Sequence, residues 1–508
     1  MKFTVLSHAC LYVEHGSTSL MVDPWLLGSA YWRSWWNYPP VDRERVLGLR
    51  PTYIFLTHIH WDHFHGPSLR AYAKDTHILI PDDRYDRMAR DLRTMGFKRV
   101  TALDHGREFA LGDGLSIRPY LFFPMTDTAL VIRSPNVVLL DANDCKIAGL
   151  PLTQITRAFP RIDFALRSHS SANPRICHHY LDRDDIVLDD RAHYLRSFCN
   201  FMRAVQPRYA VPFASNHCHL HRDTIQFNDY IQTPLDVAAA FEQLRAREGL
   251  STEIKVMLPG SSWSEEDGFT LSDTTPFSER NRELARYASA NQAKLEQYYA
   301  LEAKVQVTTQ DMSTFFDPFF AALPWLVRWL FRRHPILIVS ECMAAPDQWR
   351  VNLWNRSVEP VAQSERSSAP ARMHIPAIIL RQSLRMNMFG HAGISKRVRY
   401  LATHAEMPWL KRFELMLSMY ESELLPIRKN LSLRFLKTFA LRWRELVLYA
   451  QVAVRMAVGQ NPVEIEQRLL LRAGSRRSTS ATPVTKPNAE TQRSAENAEK
   501  SQNDFVEK

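Results

Sequence analysis

The run Thr57-His58-Ile59-His60-Trp61-Asp62-His63 decides the fold. It follows Tyr53-Ile54-Phe55-Leu56, an apolar stretch that reads as a buried strand. His58 and His60 stand two apart, so on an extended segment they point the same way, and Asp62 and His63 follow on the turn out of the strand. Four metal-competent side chains within six positions, delivered from a strand end, predict a metal site rather than a packing pattern. The plain alternative is a surface loop rich in histidine. In the site reading, the two imidazoles of the strand-turn hold one metal, and Asp62 and His63 point into the same pocket for a second.

Working outward, Leu20-Met21-Val22 reads as a strand ending in Asp23-Pro24, and Val137-Val138-Leu139-Leu140 as a later strand followed by Asn143-Asp144-Cys145. Together with the histidine run, these segments resemble the metallo-β-lactamase fold superfamily over about the first 260 residues. Asp23-Pro24-Trp25-Leu26, Trp35-Trp36-Asn37-Tyr38-Pro39-Pro40, Asn143-Asp144-Cys145 and Ser171-Ala172-Asn173-Pro174 are similar to the branch that contains the CMP-N-acetylneuraminate hydroxylases. The resemblance implies an αββα four-layer sandwich of class α/β. It implies His58 and His60 as ligands of a first metal, Asp62 and His63 as ligands of a second, and Asp144 as the carboxylate between them. Two cations a few ångströms apart repel, so a bridging anion is an electrostatic need. Asp23 is expected to accept a hydrogen bond from a ligating imidazole and fix its tautomer.

The superfamily's third histidine on the first metal comes from a Gly-His turn. Here that place reads Phe122-Phe123-Pro124-Met125-Thr126-Asp127-Thr128, and Asp127 is the nearest group able to bind a metal. Either Asp127 is a ligand or it caps a turn. As a ligand it replaces an imidazole by a harder oxygen, which moves preference from zinc toward iron or manganese. The last ligand is expected after Tyr209–Phe213, where Ser215-Asn216-His217-Cys218-His219-Leu220-His221 offers alternate histidines; His221 is the first candidate and His217 the second. His169 is a candidate proton shuttle or substrate contact, and Asp62 a candidate catalytic group. Trp32, Trp35, Trp36 and Tyr38 form either an apolar wall for substrate or the core of a long loop.

With 508 residues the chain is long enough for two or three domains. We expect a catalytic domain over 1–262, an accessory α+β domain over 278–406, a helical region over 407–472 and a disordered tail over 473–508, with the polar segment 261–277 as a linker. The accessory domain is expected to hold a strand pair, Pro335–Ser340 and Gln348–Leu353, and a further run His374–Arg381. Six scattered cysteines with no C-x-x-C pair argue for a reducing compartment, and the N-terminal Phe3–Leu6 segment reads as a strand rather than a signal peptide. A cytoplasmic location follows as an expectation. The net charge of +10 suits phosphate-bearing substrates or an anionic surface, or is a solvated basic face, and no nucleic-acid module is evident. Phe315–Val339 is aromatic but broken by charges and prolines, so it does not span a bilayer; it is either buried against the second domain or lies on a membrane surface.

Two functions compete at this level. The resemblance implies a dinuclear metal oxygenase with two divalent ions, iron ahead of zinc or manganese, acting on a small molecule. The hydroxylase branch carries a Rieske module, which needs two Cys–His pairs. The six cysteines do not supply them, so electrons are expected from a separate donor protein. The alternative is a hydrolase of an ester, amide or phosphodiester, in which the metals lower the pKa of a bound water to about 7.

Overall fold

The computed structural model describes residues 1–470 apart from 83–85, 123–126, 171, 173, 184–188, 342–346, 363, 365–368, 429–431, 434–435, 437–439, 441, 459 and 461–464. The expected tail 473–508, and Ser171 and Asn173 of the quoted resemblance, lie outside the described residues. Among those described, two large sheets lie face to face. One has eight strands in the order Gly268–Thr270, Ser262–Ser264, Lys2–Val5, Leu11–His15, Thr18–Val22, Tyr53–Phe55, His77–Pro81 and Arg99–Leu103. The other has seven, in the order Glu253–Ile254, Tyr209–Phe213, Phe164–Ser168, Val138–Asn143, Asp127–Arg133, Leu115–Phe122 and Phe109–Gly112.

Strand alternation sorts the core into layers. Leu20 and Val22 of the first sheet meet Leu130, Ile132, Leu139, Phe164 and Val211 of the second. The intervening Met21, with Ile54 and Ile78, packs outward under Val46, Met88 and Leu92 of the helices Arg43–Gly48 and Arg87–Thr94. On the far side, Val131, Leu140, Ala165 and Ala210 pack against Leu152, Phe198, Phe201 and Phe241, from helices Gly149–Ala158, Arg191–Val205 and Pro234–Glu248. The result is the expected helix–sheet–sheet–helix stack.

Strand direction then sets where the chemistry emerges. Lys2–Val5 and Thr18–Val22 both run antiparallel to Leu11–His15, and Thr18–Val22 is parallel to Tyr53–Phe55. So His8, Asp23 and His58 leave the first sheet at one edge. In the second sheet Val138–Asn143, Phe164–Ser168 and Tyr209–Phe213 are mutually parallel, and Asp144, His169 and His217 follow their ends. Carboxyl ends of parallel strands are where open α/β sheets bind ligands.

Residues beyond this stack form a third, six-stranded sheet: His178–Tyr180, Arg399–Ala402, Ala371–Pro376, Ile336–Glu341, Asp347–Asn352 and Ser357–Pro360. Several expectations are corrected here. The segment 261–277, read as a linker, contributes two three-residue strands that extend the first sheet beside Lys2–Val5. The run His374–Arg381 is strand only to Pro376 and continues as the helix Ala377–Met386. His178 and His179 pair in parallel with Tyr400 and Leu401, so a segment from within the first 262 residues joins the third sheet. The helical region after 407 divides. Met407–Glu421 joins the core of the third sheet, whereas Trp443–Ala457 turns back onto the first unit, where Tyr449 joins its outer core. Gly149 permits that return: its φ of +63° suits glycine, and a Cβ there would stand 3.2 Å from Leu448 Cδ2.

The aromatic loop resolves in favour of packing. Trp32, Trp35, Trp36 and Tyr38 are all buried, the first two in the core of the third sheet and the others beside Leu295 and Tyr299 of helix Arg280–Glu302.

Candidate metal centre

Among the described residues, three groups of side chains offer ligand atoms that all lie within 4.8 Å of one another: His58, His60 and Asp127; His58, His63 and Asp144; and His8, Asp62 and His63. His58 Nε2 stands 2.9 Å from His60 Nδ1 and 3.7 Å from Asp144 Oδ2. His63 Nε2 faces Asp144 Oδ2 at 3.6 Å and Asp62 Oδ2 at 3.5 Å. Asp144 therefore sits between His58 and His63, the place of a carboxylate shared by two cations. Asp127 begins its strand opposite Phe122 and lies beside the first pair of histidines, as the ligand reading of its turn requires.

Buried polar atoms test whether cations fit. His63 Nε2 and Asp144 Oδ1 are both buried without a hydrogen-bond partner. Burial of an unsatisfied polar group costs about 1–3 kcal/mol. A divalent ion, which takes nitrogen and oxygen donors at about 2.0–2.2 Å, would satisfy both atoms. The donor set fits the group.

The surroundings orient the donors. Asp23, as expected, accepts from His63 Nδ1 at 2.7 Å and from the Thr57 amide at 2.8 Å, leaving His63 Nε2 turned to the centre. Asn143 accepts from the Asp144 amide at 2.7 Å and donates to the Thr128 carbonyl at 3.1 Å, which ties the loops of Asp144 and Asp127 together. Asp23, Tyr31, Trp32, Arg33, Asn143 and Ala214 all have positive φ without being glycine. Such strained residues cluster where the rest of the fold holds a site in place.

Electrostatics follow from burial and neighbours. Burial holds His58 and, more strongly, His60 below the usual histidine range; His58 adds to it at His60. Both imidazoles are thus neutral and free to donate a lone pair. Burial alone would lower His63 as well, but Asp144 and Asp62 outweigh it and raise it well above its ordinary value. Burial and then Asp144 raise Asp127. Asp144 goes the other way: His58 and His63 overcome burial and hold it at about 2. Half-buried His60 and Asp144 mark the side of the centre that solvent reaches.

Three features had little sequence signal. His8, visible only as a polar break after the first strand, places Nε2 3.2 Å from Asp62 Oδ2. Tyr31 donates its hydroxyl hydrogen to Asp62 from the aromatic loop. His391, from beyond the third sheet, donates from Nε2 to the Ile59 carbonyl at 3.2 Å, between the two first-metal histidines.

The late histidines require a correction. His221, the first candidate, is not brought to the centre: its Nε2 donates to Glu302 at 3.2 Å and its Nδ1 accepts from the Asp223 amide at 3.1 Å, so neither nitrogen is left for a metal. Arg397 holds Glu302 in that place through bonds of 2.8 and 3.0 Å. His217 is the one nearer the centre, its ring stacked on Trp35 at 3.7 Å and 5.5 Å from the ring of His8, but it belongs to none of the three groups. His169 is fully buried, and burial followed by the neighbouring His8 pushes it down to about 3, so it stays neutral near pH 7.

Residues 3–152 match the model of the metallo-beta-lactamase superfamily, and the layered N-terminal unit has that fold. Among curated relatives, a Mycobacterium tuberculosis protein described as a Rieske 2Fe-2S iron-sulfur protein is 25% identical over 282 residues, covering 52% of this chain and 53% of that protein. The cytidine monophosphate-N-acetylneuraminic acid hydroxylase of Cricetulus griseus is 24% identical over 267 residues, covering 47% of this chain and 46% of that one. The chain thus spans about half the length of the curated relatives it matches. Among solved structures, an isothiocyanate hydrolase from Delia radicum gut bacteria aligns at 17% identity and a TM-score of 0.38, covering 52% of this chain and 99% of that chain.

Proposed function

We propose that this chain is a dinuclear metal-dependent oxygenase that hydroxylates a small molecule and takes its electrons from a separate donor protein. The observation that carries the reading is Asp127, a carboxylate standing with His58 and His60 where the superfamily pattern has a third imidazole. Oxygen donors favour iron or manganese over zinc. The hydroxylase and iron–sulfur names of the relatives support the same chemistry.

In this reading His58, His60 and Asp127 hold one ion, His63 and Asp62 hold the other with His8 at hand, and Asp144 lies between them. Two such ions, when bound, supply Lewis acidity and, as iron, the capacity to activate dioxygen. The chain's own residues do the rest. Asp23 keeps the proton of His63 on Nδ1, so Nε2 remains a donor. Tyr31 and His8 fix the orientation of Asp62, whose carboxyl stays ionised because His63 and His8 outweigh its burial. Substrate enters past His60 and Asp144, and we assign it to a phosphate- or nucleotide-bearing class, in keeping with the nucleotide sugar in the hydroxylase relative's name.

Four imidazoles, those of His8, His58, His60 and His63, also suit zinc, and they favour a second reading as a hydrolase of an ester, amide or phosphodiester. Metal analysis of protein purified without added metal separates the two. Near two irons per chain, with reductant-dependent dioxygen uptake, is the expected result. Two zincs, no dioxygen uptake and turnover of bis(p-nitrophenyl) phosphate would overturn the oxygenase.

A further inference from the structure

From Pro318 to Ser340 the sequence holds Arg328, Arg332 and Arg333 and no Asp or Glu. The structure divides this stretch sharply. Helix Thr309–Ala322 turns Phe315, Phe316, Phe319 and Phe320 into the core of the third sheet. Leu323-Pro324 ends it, and the next helix, Trp325–Leu330, buries none of its residues. Trp325 is 61% exposed, Leu326 56%, Trp329 38% and Leu330 42%. The helix therefore forms an exposed ridge, with Val327 packed partly against the core. Arg332 lies 4.2 Å over the ring of Trp329, holding that ring at the surface. A second segment joins it: the turn between Asp347–Asn352 and Ser357–Pro360 exposes Trp354 and carries Arg356. Arg356 is close enough to add to burial in lowering the Arg328 pKa. Among the described residues, no carboxylate pairs with Arg328, Arg332, Arg333 or Arg356, whereas Arg397 pairs with Asp223 and Glu302 and Arg399 with Glu341.

We propose that the Trp325–Leu330 helix and the Trp354–Arg356 turn form a docking surface for an anionic lipid bilayer. Tryptophan and leucine on an exposed ridge suit the boundary between headgroups and acyl chains, and arginine pairs with phosphate oxygens. Arginines beside them that, among the described residues, no carboxylate neutralises complement a negatively charged leaflet. A ridge this short gives reversible, salt-sensitive attachment and not a span. No described helix is long and apolar enough to cross a membrane.

The test is flotation of the full chain with vesicles of phosphatidylcholine alone, or with roughly one third phosphatidylglycerol. The protein should float with the anionic vesicles, stay behind with the neutral ones, and be released as salt rises. Trp325→Ser with Trp329→Ser, and separately Arg328→Gln with Arg332→Gln and Arg333→Gln, should each weaken binding by about tenfold or more. These side chains pack into no core, so both variants should keep the parent's circular dichroism and metal content. Failure of the parent protein to float with anionic vesicles at low salt overturns the proposal. So does flotation unchanged in both variants. A patch that instead drives self-association, seen as a dimer that the tryptophan variant dissociates without any vesicle binding, or that binds single-stranded RNA in preference to vesicles, overturns it as well.

Discussion

Two histidine-rich runs leave strand ends in this molecule, and among the described residues only one of them supplies the candidate cation groups. His58, His60 and His63 follow the Tyr53–Phe55 strand; His217, His219 and His221 follow Tyr209–Phe213. Both are largely buried, and both begin with two histidines at alternate positions. The difference lies in what their nitrogens meet. In the first run His63 Nε2 has no hydrogen-bond partner and faces two carboxylates. In the second, His221 is bonded at both nitrogens, His219 Nδ1 meets the Ser34 carbonyl and His217 is stacked on Trp35; His217 Nε2 and His219 Nε2 also lack a hydrogen-bond partner, but among the described residues no carboxylate pairs with either. A histidine becomes a ligand when its neighbours leave a lone pair unspent and bring an anion close; spacing alone decides neither.

His58→Ala should have the largest effect of the substitutions considered, because His58, like His63, is common to two ligand groups. Metal content should fall from about two ions to well under one per chain, and activity by on the order of a thousandfold. Retention of both ions, read by plasma mass spectrometry, would contradict the assignment. Asp23→Asn leaves every ligand in place but disturbs the His63 tautomer. It should weaken metal binding by about 10–100-fold in a chelator competition, and an unchanged affinity would strip Asp23 of its orienting role.

Acid should loosen the metals by a smaller factor. The cation-free centre holds His63 and Asp127 at raised pKa, so both compete with the metal for protons. Affinity should rise with pH by about tenfold per unit for each proton released, and fall as pH drops. A titration that is flat across the range in which the fold persists would refute this. Asp127→His supplies a third imidazole and should raise the zinc-to-iron ratio by about tenfold; no change in ratio would show that Asp127 does not bind the metal. The smallest effect on metal belongs to the second run. His221→Ala should keep metal content and turnover while costing about 1–3 kcal/mol of stability, because Glu302 loses a buried partner. Loss of metal in that variant would erase the contrast between the runs.

Much of the layered unit was legible because its strands alternate faithfully: Leu20, Met21 and Val22 announce opposite faces in three residues. The ligand run was legible for a related reason, since its spacing specifies direction. What was illegible depended on distant partners. His217, His219 and His221 share one spacing, and the choice among them is made by Glu302, Arg397 and Trp35. The strands Ser262–Ser264 and Gly268–Thr270 are too short to show a period, so a polar composition read as a linker. Trp443–Ala457 is amphipathic, which predicts that one face is covered but not that Leu448 and Tyr449 cover it by returning to Gly149–Ala158. In the segment from Phe315 to Val339, composition mixed two roles. One helix is core, and the next is surface, with a Leu-Pro step between them.

Anomalous diffraction at the iron and zinc edges, on crystals of protein purified without added metal, tests the centre most directly. The expected result is a pair of peaks a few ångströms apart, one bounded by His58, His60 and Asp127, the other by His63 and Asp62, with Asp144 touching both. Density for a metal among His217, His219 and His221 instead, or an empty centre after saturation with iron and zinc, would contradict it.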